Sequence, residues 1–475
     1  MAAENQAARS PRSGSAAPGG TAPRYRSLLE RIFRAGVAAV EPARLVRSRL
    51  LDGASLRLRI GAKRTLLLEG RKIWMIAAGK AAIPMARESA RLLGSRLAAG
   101  VVAAPRRPRG LPRRVRGFAG GHPLPNRGSL EAGRAVWALL RRARADDVVL
   151  VLLSGGASSL LVLPAPGITL RDTLATHRLL LRAGATIAEV NAVRKHLSRL
   201  KGGGLARRAG EARVVCLLLS DVIGNSPSVI GSGPAAADPT TYADALRVLS
   251  RRRILDRVPA RVRRHLERGR QGKVAETLKP GERRTWNVVI GDNRVALAAA
   301  SAEARSLGYR SQILTASMRG DTRVCARRFA AEIRRRARRG RRPICLLAGG
   351  ETTVDVRGKG RGGRNQEFAL VLAEELAGFR RIHCLSAGSD GRDGPTDAAG
   401  AFVDGSTAER AARLRLEPRA FLERNDSYGF FRRLGGLFRA GPTGTNVMDL
   451  KIVILGRLPA KTSRSLLRQP AAGSP

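Results

Sequence analysis

The sequence predicts an α/β protein built from two domains, with a functional cleft between them. Three observations carry that reading. Apolar strand signals alternate with helical spacing along the chain, the pattern of a largely parallel sheet covered by helices. Each strand signal ends in a glycine or polar turn, at the edge where open α/β sheets bind ligands. The length of 475 residues exceeds what one hydrophobic core organises, and an apolar content of 43% supplies two.

Residues 1–23, rich in Ala, Ser, Pro and Gly, predict a disordered tail; their arginines also suit a transit peptide. The first domain is expected over 24–265. Lys72 to Ala78 reads as a buried strand ending at Gly79-Lys80, and helical spacing follows from Ala81 to Leu93. Asp147 to Leu153 repeats the pattern, ending at Ser154-Gly155-Gly156, and Arg213 to Leu219 repeats it again, ending at Ser220-Asp221. Three such units make a doubly wound, Rossmann-like domain. A basic stretch over 266–283, containing Gly269, Gly272, Pro280 and Gly281, predicts a linker. The second α/β domain is expected over 284–458, restarting with a strand at Trp286 to Ile290. A helix from Val295 to Leu307 and a strand from Pro343 to Ala348, ending at Gly349-Gly350-Glu351, continue it. Residues 459–475 predict a second disordered tail.

The formal net charge is +51, from 88 Lys and Arg against 37 Asp and Glu. Such a field attracts nucleic acid, anionic membrane or acidic metabolites. Nucleic-acid grooves interleave charge with stacking aromatics, whereas aromatics here are 4% and the arginines spread over nearly every segment. The runs at Arg251-Arg252-Arg253 and Arg334-Arg335-Arg336 read as solvated helix faces. No specific nucleic-acid partner is therefore expected, and a non-catalytic arginine-rich nucleic-acid binder stands as an alternative from another class. Cys216, Cys325, Cys345 and Cys384 have no paired spacing, so neither a zinc knuckle nor a disulfide framework is indicated and a reducing compartment fits. No run approaches a membrane span. A cytoplasmic protein without a membrane partner, monomeric or homodimeric, is the expectation.

Chemistry concentrates at strand ends. The loop from Ser386 to Gly400 follows the strand signal at Arg381 to Leu385 and carries Asp390, Asp393 and Asp397. The turn at Ser154, Gly155, Gly156, Ala157 and Ser158 has no charge and offers backbone amides to an anion, or packs closely as a strand-to-helix turn. Lys80 and Arg364 are cations on glycine-bearing loops, suited to phosphate or carboxylate oxygens. Asn191, Arg194, Lys195 and Lys201 lie on an expected helix ending at Gly202-Gly203-Gly204, with Arg194 and Lys201 on one face. They close on a triphosphate or face solvent. Asn225 suits a polyol hydroxyl, and His122 sits between Gly121 and Pro123, where it is aimed into a cleft or serves the structure. Gly358, Gly360 and Gly363 match G-x-G-x-x-G, but Arg357, Lys359, Arg361 and Arg364 crowd the loop and no strand-ending acid follows to hold a ribose. Lys80 is not a Walker A lysine, since Trp74 stands six residues before it.

Several stretches in one order resemble the glycerate kinases that phosphorylate the 2-hydroxyl, whose carboxyl-terminal half is the MOFRL domain. They are Ala77 to Ala81, Gly121 to Asn126, Leu152 to Ser159, Lys195 to Gly204, Ser220 to Pro239, Gly349 to Glu367, Ser386 to Gly400 and Gly441 to Asn446. The resemblance runs from roughly Leu28 to Leu458. It implies a cleft between two α/β domains, ATP and a divalent cation as co-reactants, and D-glycerate as the substrate that becomes 2-phosphoglycerate. The family's cleft lysine falls on Lys80 and its arginine on Arg364. Met448 and Asn126 depart from the common pattern. Some members carry a hydroxypyruvate reductase label, so an NAD(P)H-dependent reductase using the Gly358 to Gly363 loop is the alternative activity.

Phosphoryl transfer is mostly positioning and charge neutralisation, so the expected catalytic set is Lys80, Arg364 and Asp221. Asp221 also suits a helix cap. Glu351, Asp390 and Asp393 are the expected Mg2+ ligands. The remaining expected cofactor contacts are Ser154, Gly155, Gly156, Ala157, Ser158, Lys195, Lys201, Asn225, Gly350 and Asn365.

Overall fold

The computed structural model describes residues 23–51, 55–282, 285–339 and 343–457, and statements of number and absence refer to these described residues. The expected tails at 1–23 and 459–475 lie outside them, except that Pro23 opens a helix running to Ala39.

Three short strands, β1 (Leu50–Leu51), β2 (Arg57–Arg59) and β3 (Thr65–Leu67), make a small antiparallel sheet. The first large sheet holds β4 (Ile73–Ala78), β5 (Leu97–Ala104), β6 (Val115–Ala119), β7 (Val148–Leu153), β8 (Arg213–Leu219) and β9 (Thr285–Gly291) in the order β6-β5-β4-β7-β8-β9, all parallel. β4, β7 and nearly all of β8 are buried, which is why they read as unbroken apolar runs rather than alternating ones. The strand order reverses between β4 and β7, so the turns at Gly79-Lys80 and Ser154-Gly155 flank the crevice where doubly wound sheets bind ligands.

The second large sheet is mixed, with β10 (Arg310–Asp321), β11 (Ile344–Thr353), β12 (Ile382–Gly388), β13 (Gly400–Asp404), β14 (Leu437–Phe438) and β15 (Asp449–Leu455). Its order is β10-β11-β15-β12-β13-β14; β10 and β11 are parallel and the other neighbours antiparallel. Helices 322–339 and 364–375 cover one face through a core that includes Phe329, Ile333, Phe368 and Leu372.

Three boundaries differ from those the sequence suggests. The strand at Trp286 to Ile290 does not restart the second half: it is β9, the sixth strand of the first sheet, beside β8. The helix that follows it, 293–306, does turn to the second half, where it packs with the helix Pro23–Ala39. Gly36 permits that approach, since a Cβ there would stand 2.9 Å from the Ala296 carbonyl oxygen. The stretch 266–283 is not a free linker, because helix 260–270 buries Leu266 and Val262 against Tyr242 and Leu249. Beyond it, Leu278 is buried and Lys279 Nζ donates to the Thr240 carbonyl at 2.5 Å. The helix expected from Asn191 to Lys201 ends at His196, so Lys201 sits in the turn beyond it.

The basic runs are only partly free faces: Arg251 and Arg252 both pair with Glu189, and Arg334 pairs with Glu375 at 2.5 Å. No helix is long and apolar enough to cross a membrane.

Candidate active site

The turn after β4 and the turn after β7 are locked together. Ser154 Oγ accepts from the Ala81 amide at 3.0 Å, and the Lys80 amide donates to the Gly155 carbonyl at 2.8 Å. Gly79, at φ 132°, fits because a Cβ there would lie 2.1 Å from Ser154 Oγ. The lock presents the exposed Lys80 side chain at the crevice.

Asp221, just past β8, lies directly against the same loop. A Cβ on Gly155 would fall 2.1 Å from Asp221 Oδ2, so only glycine leaves room for that carboxylate. Asn446 Nδ2 reaches the same oxygen at 3.4 Å, which brings the Gly441 to Asn446 turn of the second half to the site. Burial holds the Asp221 carboxyl above its usual range; Lys80 opposes the rise and Asp390 adds to it. His122 closes another side. A Cβ on Gly156 would lie 2.8 Å from its Cδ2, and burial, with Lys80 nearby, lowers the imidazole below its usual value.

From the second half, Arg364 opens helix 364–375 and is aligned by two carboxylates. Its Nε and Nη2 donate to Asp449 at 2.9 and 3.0 Å, and its Nη1 donates to Glu351 at 2.6 Å. Asp449 is fully buried and Glu351 is not. Behind them, Lys451 and Asn365 fix Asp449 in turn. Desolvation raises the Glu351 carboxyl, while Arg364 pulls it back; Asp221 and Lys80 also act on it. Lys80, Asp221, Glu351, Arg364, Asp390 and His122 therefore gather from both halves around one crevice.

Other expected site residues take different roles. The Asp393 carboxylate is engaged within the fold: it accepts from the Asn365 and Gln366 amides at 3.0 and 2.8 Å, capping helix 364–375. No three His, Cys, Asp or Glu side chains among the described residues cluster as a metal site, so the trio Glu351, Asp390 and Asp393 is not assembled. Asn365 is fully buried and bonds Asp449, Asp393 and Ser386, leaving nothing for a cofactor. Gly350 answers a packing need, since at φ 131° a Cβ would strike the Met318 backbone at 2.3 Å. Lys195 is buried on Asp238 at 3.0 Å, and Asn225 donates to Asp292 at 2.5 Å. Lys201 donates to the Ser158 and Leu161 carbonyls at 2.7 and 3.1 Å, behind the loop rather than in the crevice. Ser158 Oγ pairs with Ser232 Oγ at 2.9 Å. Ala157 opens a one-turn helix, its amide on the Ser154 carbonyl, whereas no acceptor is found among the described residues for the amides of Gly155 and Gly156.

The G-x-G-x-x-G loop is not a dinucleotide cradle. The Arg357 and Gly358 amides donate to Asn425 Oδ1, both at 2.8 Å, and the Gly360 amide to the Arg424 carbonyl at 2.8 Å. A Cβ on Gly358 or Gly360 would meet Arg424 within 2.5 Å, so the glycines serve that packing. Asp449 and Lys451 were the residues that motif reading passed over. Their signal is present: two charges at period two in an otherwise apolar strand, hence on one face.

Comparison with known proteins decides among the activities such a crevice allows. Residues 28–267 match a family described as a domain of unknown function, DUF4147, and residues 344–449 match the MOFRL family. The glycerate 2-kinase of Pyrococcus horikoshii is 39% identical over 388 residues, which cover 81% of this chain and 87% of that protein. The chain belongs to the glycerate kinase family. The D-glycerate 2-kinase of Thermotoga maritima is also 39% identical, over 81% of this chain and 91% of its own length. The crystal structure of glycerate kinase from Thermotoga maritima superposes with a TM-score of 0.81 at 36% identity, covering 91% of this chain and 99% of that one. Membership in the glycerate kinase family does not favour the reductase or nucleic-acid readings.

Proposed function

We propose that this chain transfers the γ-phosphoryl group of ATP to the 2-hydroxyl of D-glycerate, giving 2-phosphoglycerate and ADP. The observation that supports it best is the meeting of Lys80, Asp221 and Arg364 at one crevice, on a chain of a family whose relatives are named for that reaction.

The roles follow from the geometry. The unpaired amides of Gly155 and Gly156 and the Lys80 ammonium neutralise phosphate oxygens. Asp221 accepts the proton of the 2-hydroxyl as the new P–O bond forms and the bond to the ADP oxygen breaks. Its raised basicity suits a general base. Arg364 orients the glycerate carboxylate or the transferred group with its Nη1 edge. That edge is held only by Glu351, whose side chain is 44% exposed, and exposed pairs are worth roughly 0–1 kcal/mol. A ligand oxygen displaces Glu351 at little cost while buried Asp449 keeps the guanidinium aligned.

Mg2+ fits the donor set: Asp390, close enough to raise the cost of charging Asp221, is a hard oxygen ligand beside the crevice, and Mg2+ commonly takes one or two carboxylates with substrate phosphates. When bound there it would neutralise phosphate charge. A cytoplasmic setting accords with the four free cysteines.

The test is ADP release from ATP and Mg2+ on adding D-glycerate, beside hydroxypyruvate with NADH or NADPH. Glycerate-dependent ADP release with no NAD(P)H consumption is expected. NAD(P)H consumption without ADP release would overturn the proposal.

A further inference from the structure

His122 stands at the crevice with an imidazole that the fold does not use. Its backbone, in the turn between β6 and helix Arg127–Leu140, is pinned from two sides. The Gly121 amide donates to Ser129 Oγ at 3.0 Å, and Asn126 Oδ1 accepts from the Ser129 amide at 3.0 Å, capping the helix. From the other side, Ser159 Oγ donates to the Pro123 carbonyl at 2.6 Å and ties the turn to the one-turn helix 157–160. The exposed imidazole, by contrast, has no hydrogen-bond partner among the described residues. A histidine that serves the fold spends its nitrogens on it, as His196 does on the Ala192 carbonyl and the Glu276 carboxylate. The His122 ring lies against Gly156 instead: a Cβ there would stand 2.8 Å from its Cδ2 and 3.2 Å from its Nε2. Asp221 Oδ2 holds the matching place against Gly155. Imidazole and carboxylate thus flank two neighbouring amides for which no acceptor is found among the described residues.

We propose that His122 donates a hydrogen bond to the γ-phosphoryl group of ATP as it is transferred, a further catalytic residue beside Lys80, Asp221 and Arg364. The inference rests on the kinase reading. Asp221 must reach the 2-hydroxyl, and that hydroxyl attacks the γ-phosphorus, so the phosphoryl group seated on the Gly155 and Gly156 amides beside Asp221 is the one in transit. An imidazole against Gly156 meets its oxygens rather than the adenosine end. Burial, with the Lys80 ammonium nearby, lowers the imidazole below its usual value, so near neutral pH the ring is uncharged and one nitrogen carries an N–H. A neutral donor sits beside Lys80 without the repulsion a second cation would bring. In the loose transition state of phosphoryl transfer the charge spreads over the equatorial oxygens, and donors fixed in advance toward those oxygens lower the barrier. The pinned backbone supplies that fixing. The imidazole keeps its proton and forms no covalent bond. The hydroxyl proton goes to Asp221, the new P–O bond forms to glycerate, and the bond to the ADP oxygen breaks.

The experiment measures calorimetrically the binding of the β,γ-imido analogue of ATP and of ADP, each with Mg2+, to wild type and to His122→Phe, which keeps a ring against Gly156 but removes both nitrogens. Because only the analogue carries a terminal phosphoryl group at the γ position, His122→Phe should bind it at least tenfold more weakly than wild type and bind ADP within twofold. His122→Gln, which restores an N–H donor without the ring, should recover part of the loss. With D-glycerate, kcat of His122→Phe should fall by about 100-fold with the KM for glycerate within twofold. Should His122→Phe fail to fold, the same comparison of analogue and ADP is made on His122→Ala. Unchanged binding of the analogue, or an equal loss of analogue and ADP, overturns the assignment; full function in His122→Phe with loss in His122→Gln would mark the ring as packing alone and overturn it too. A wild type that binds the nucleotides but releases no ADP with D-glycerate defeats the proposed function, whereas glycerate-dependent ADP release without an analogue-selective loss defeats only the role of His122.

Discussion

Asp221 and Gly155 form one unit, because the space a Cβ would occupy belongs to the carboxylate oxygen. Gly155→Ala should lower kcat/KM by about 100-fold through displacement of the base, with a melting temperature within a few degrees of wild type; equal activity would separate Gly155 from Asp221. Asp221→Asn should lower kcat by roughly 10²–10⁴-fold. In the wild type, kcat/KM rises with pH as the Asp221 carboxyl, held above its usual range by burial, loses its proton. The Asn variant should lose that limb. Lys80 and Arg364 were legible in the sequence because both are cations on glycine-bearing turns. Asn365, Lys195 and Asn225 misled for a physical reason: a polar side chain near a motif reads the same whether it faces a ligand or a buried neighbour. Only packing distinguishes them.

Helix 364–375 and β15 hold the arginine. Asp449, fully buried between Arg364 and Lys451, should be costly to remove: Asp449→Ala strands two cations and is expected to destabilise by about 3–5 kcal/mol, read from urea unfolding. Asp393, at the amino end of the helix, is raised to about 6 by burial. The folded state therefore keeps its proton where the unfolded chain gives it up. Stability tied to this group is complete below about pH 4, the unfolded value, and is lost as pH rises through about 6. Asp393→Asn should remove that decline, so the wild-type urea midpoint falls relative to the variant between those pH values; parallel profiles would show that Asp393 does not titrate there. At the scale of elements the buried strands β4, β7, β8 and β11 were legible from apolar runs that end in glycine or polar turns. β9 was assigned to the wrong half, because a half-buried edge strand carries no mark of which sheet it joins.

The whole molecule is stitched together by long-range contacts that periodicity does not reveal. The helix Pro23–Ala39 precedes the first sheet in sequence yet packs on the second half, with Tyr25 stacked on His383 at 3.6 Å between ring centroids. The turn carrying Asn446 ties back to the Val40 carbonyl through Thr445 Oγ1 at 2.8 Å. The crevice is thus a product of both halves, visible in sequence only as motifs far apart in the chain. The net charge of +51 acts at the same scale. Duplex DNA should bind weakly and without sequence preference, with affinity falling steeply as salt rises from 50 to 200 mM; a sequence-dependent affinity would reopen the nucleic-acid reading. The most direct measurement of the central claim is phosphorus NMR of the product formed from D-glycerate, ATP and Mg2+ by wild type and Lys80→Ala. The two-lobed crevice predicts a 2-phosphoglycerate signal from the wild type that vanishes in the variant. A 3-phosphoglycerate signal, or undiminished product from Lys80→Ala, would contradict it.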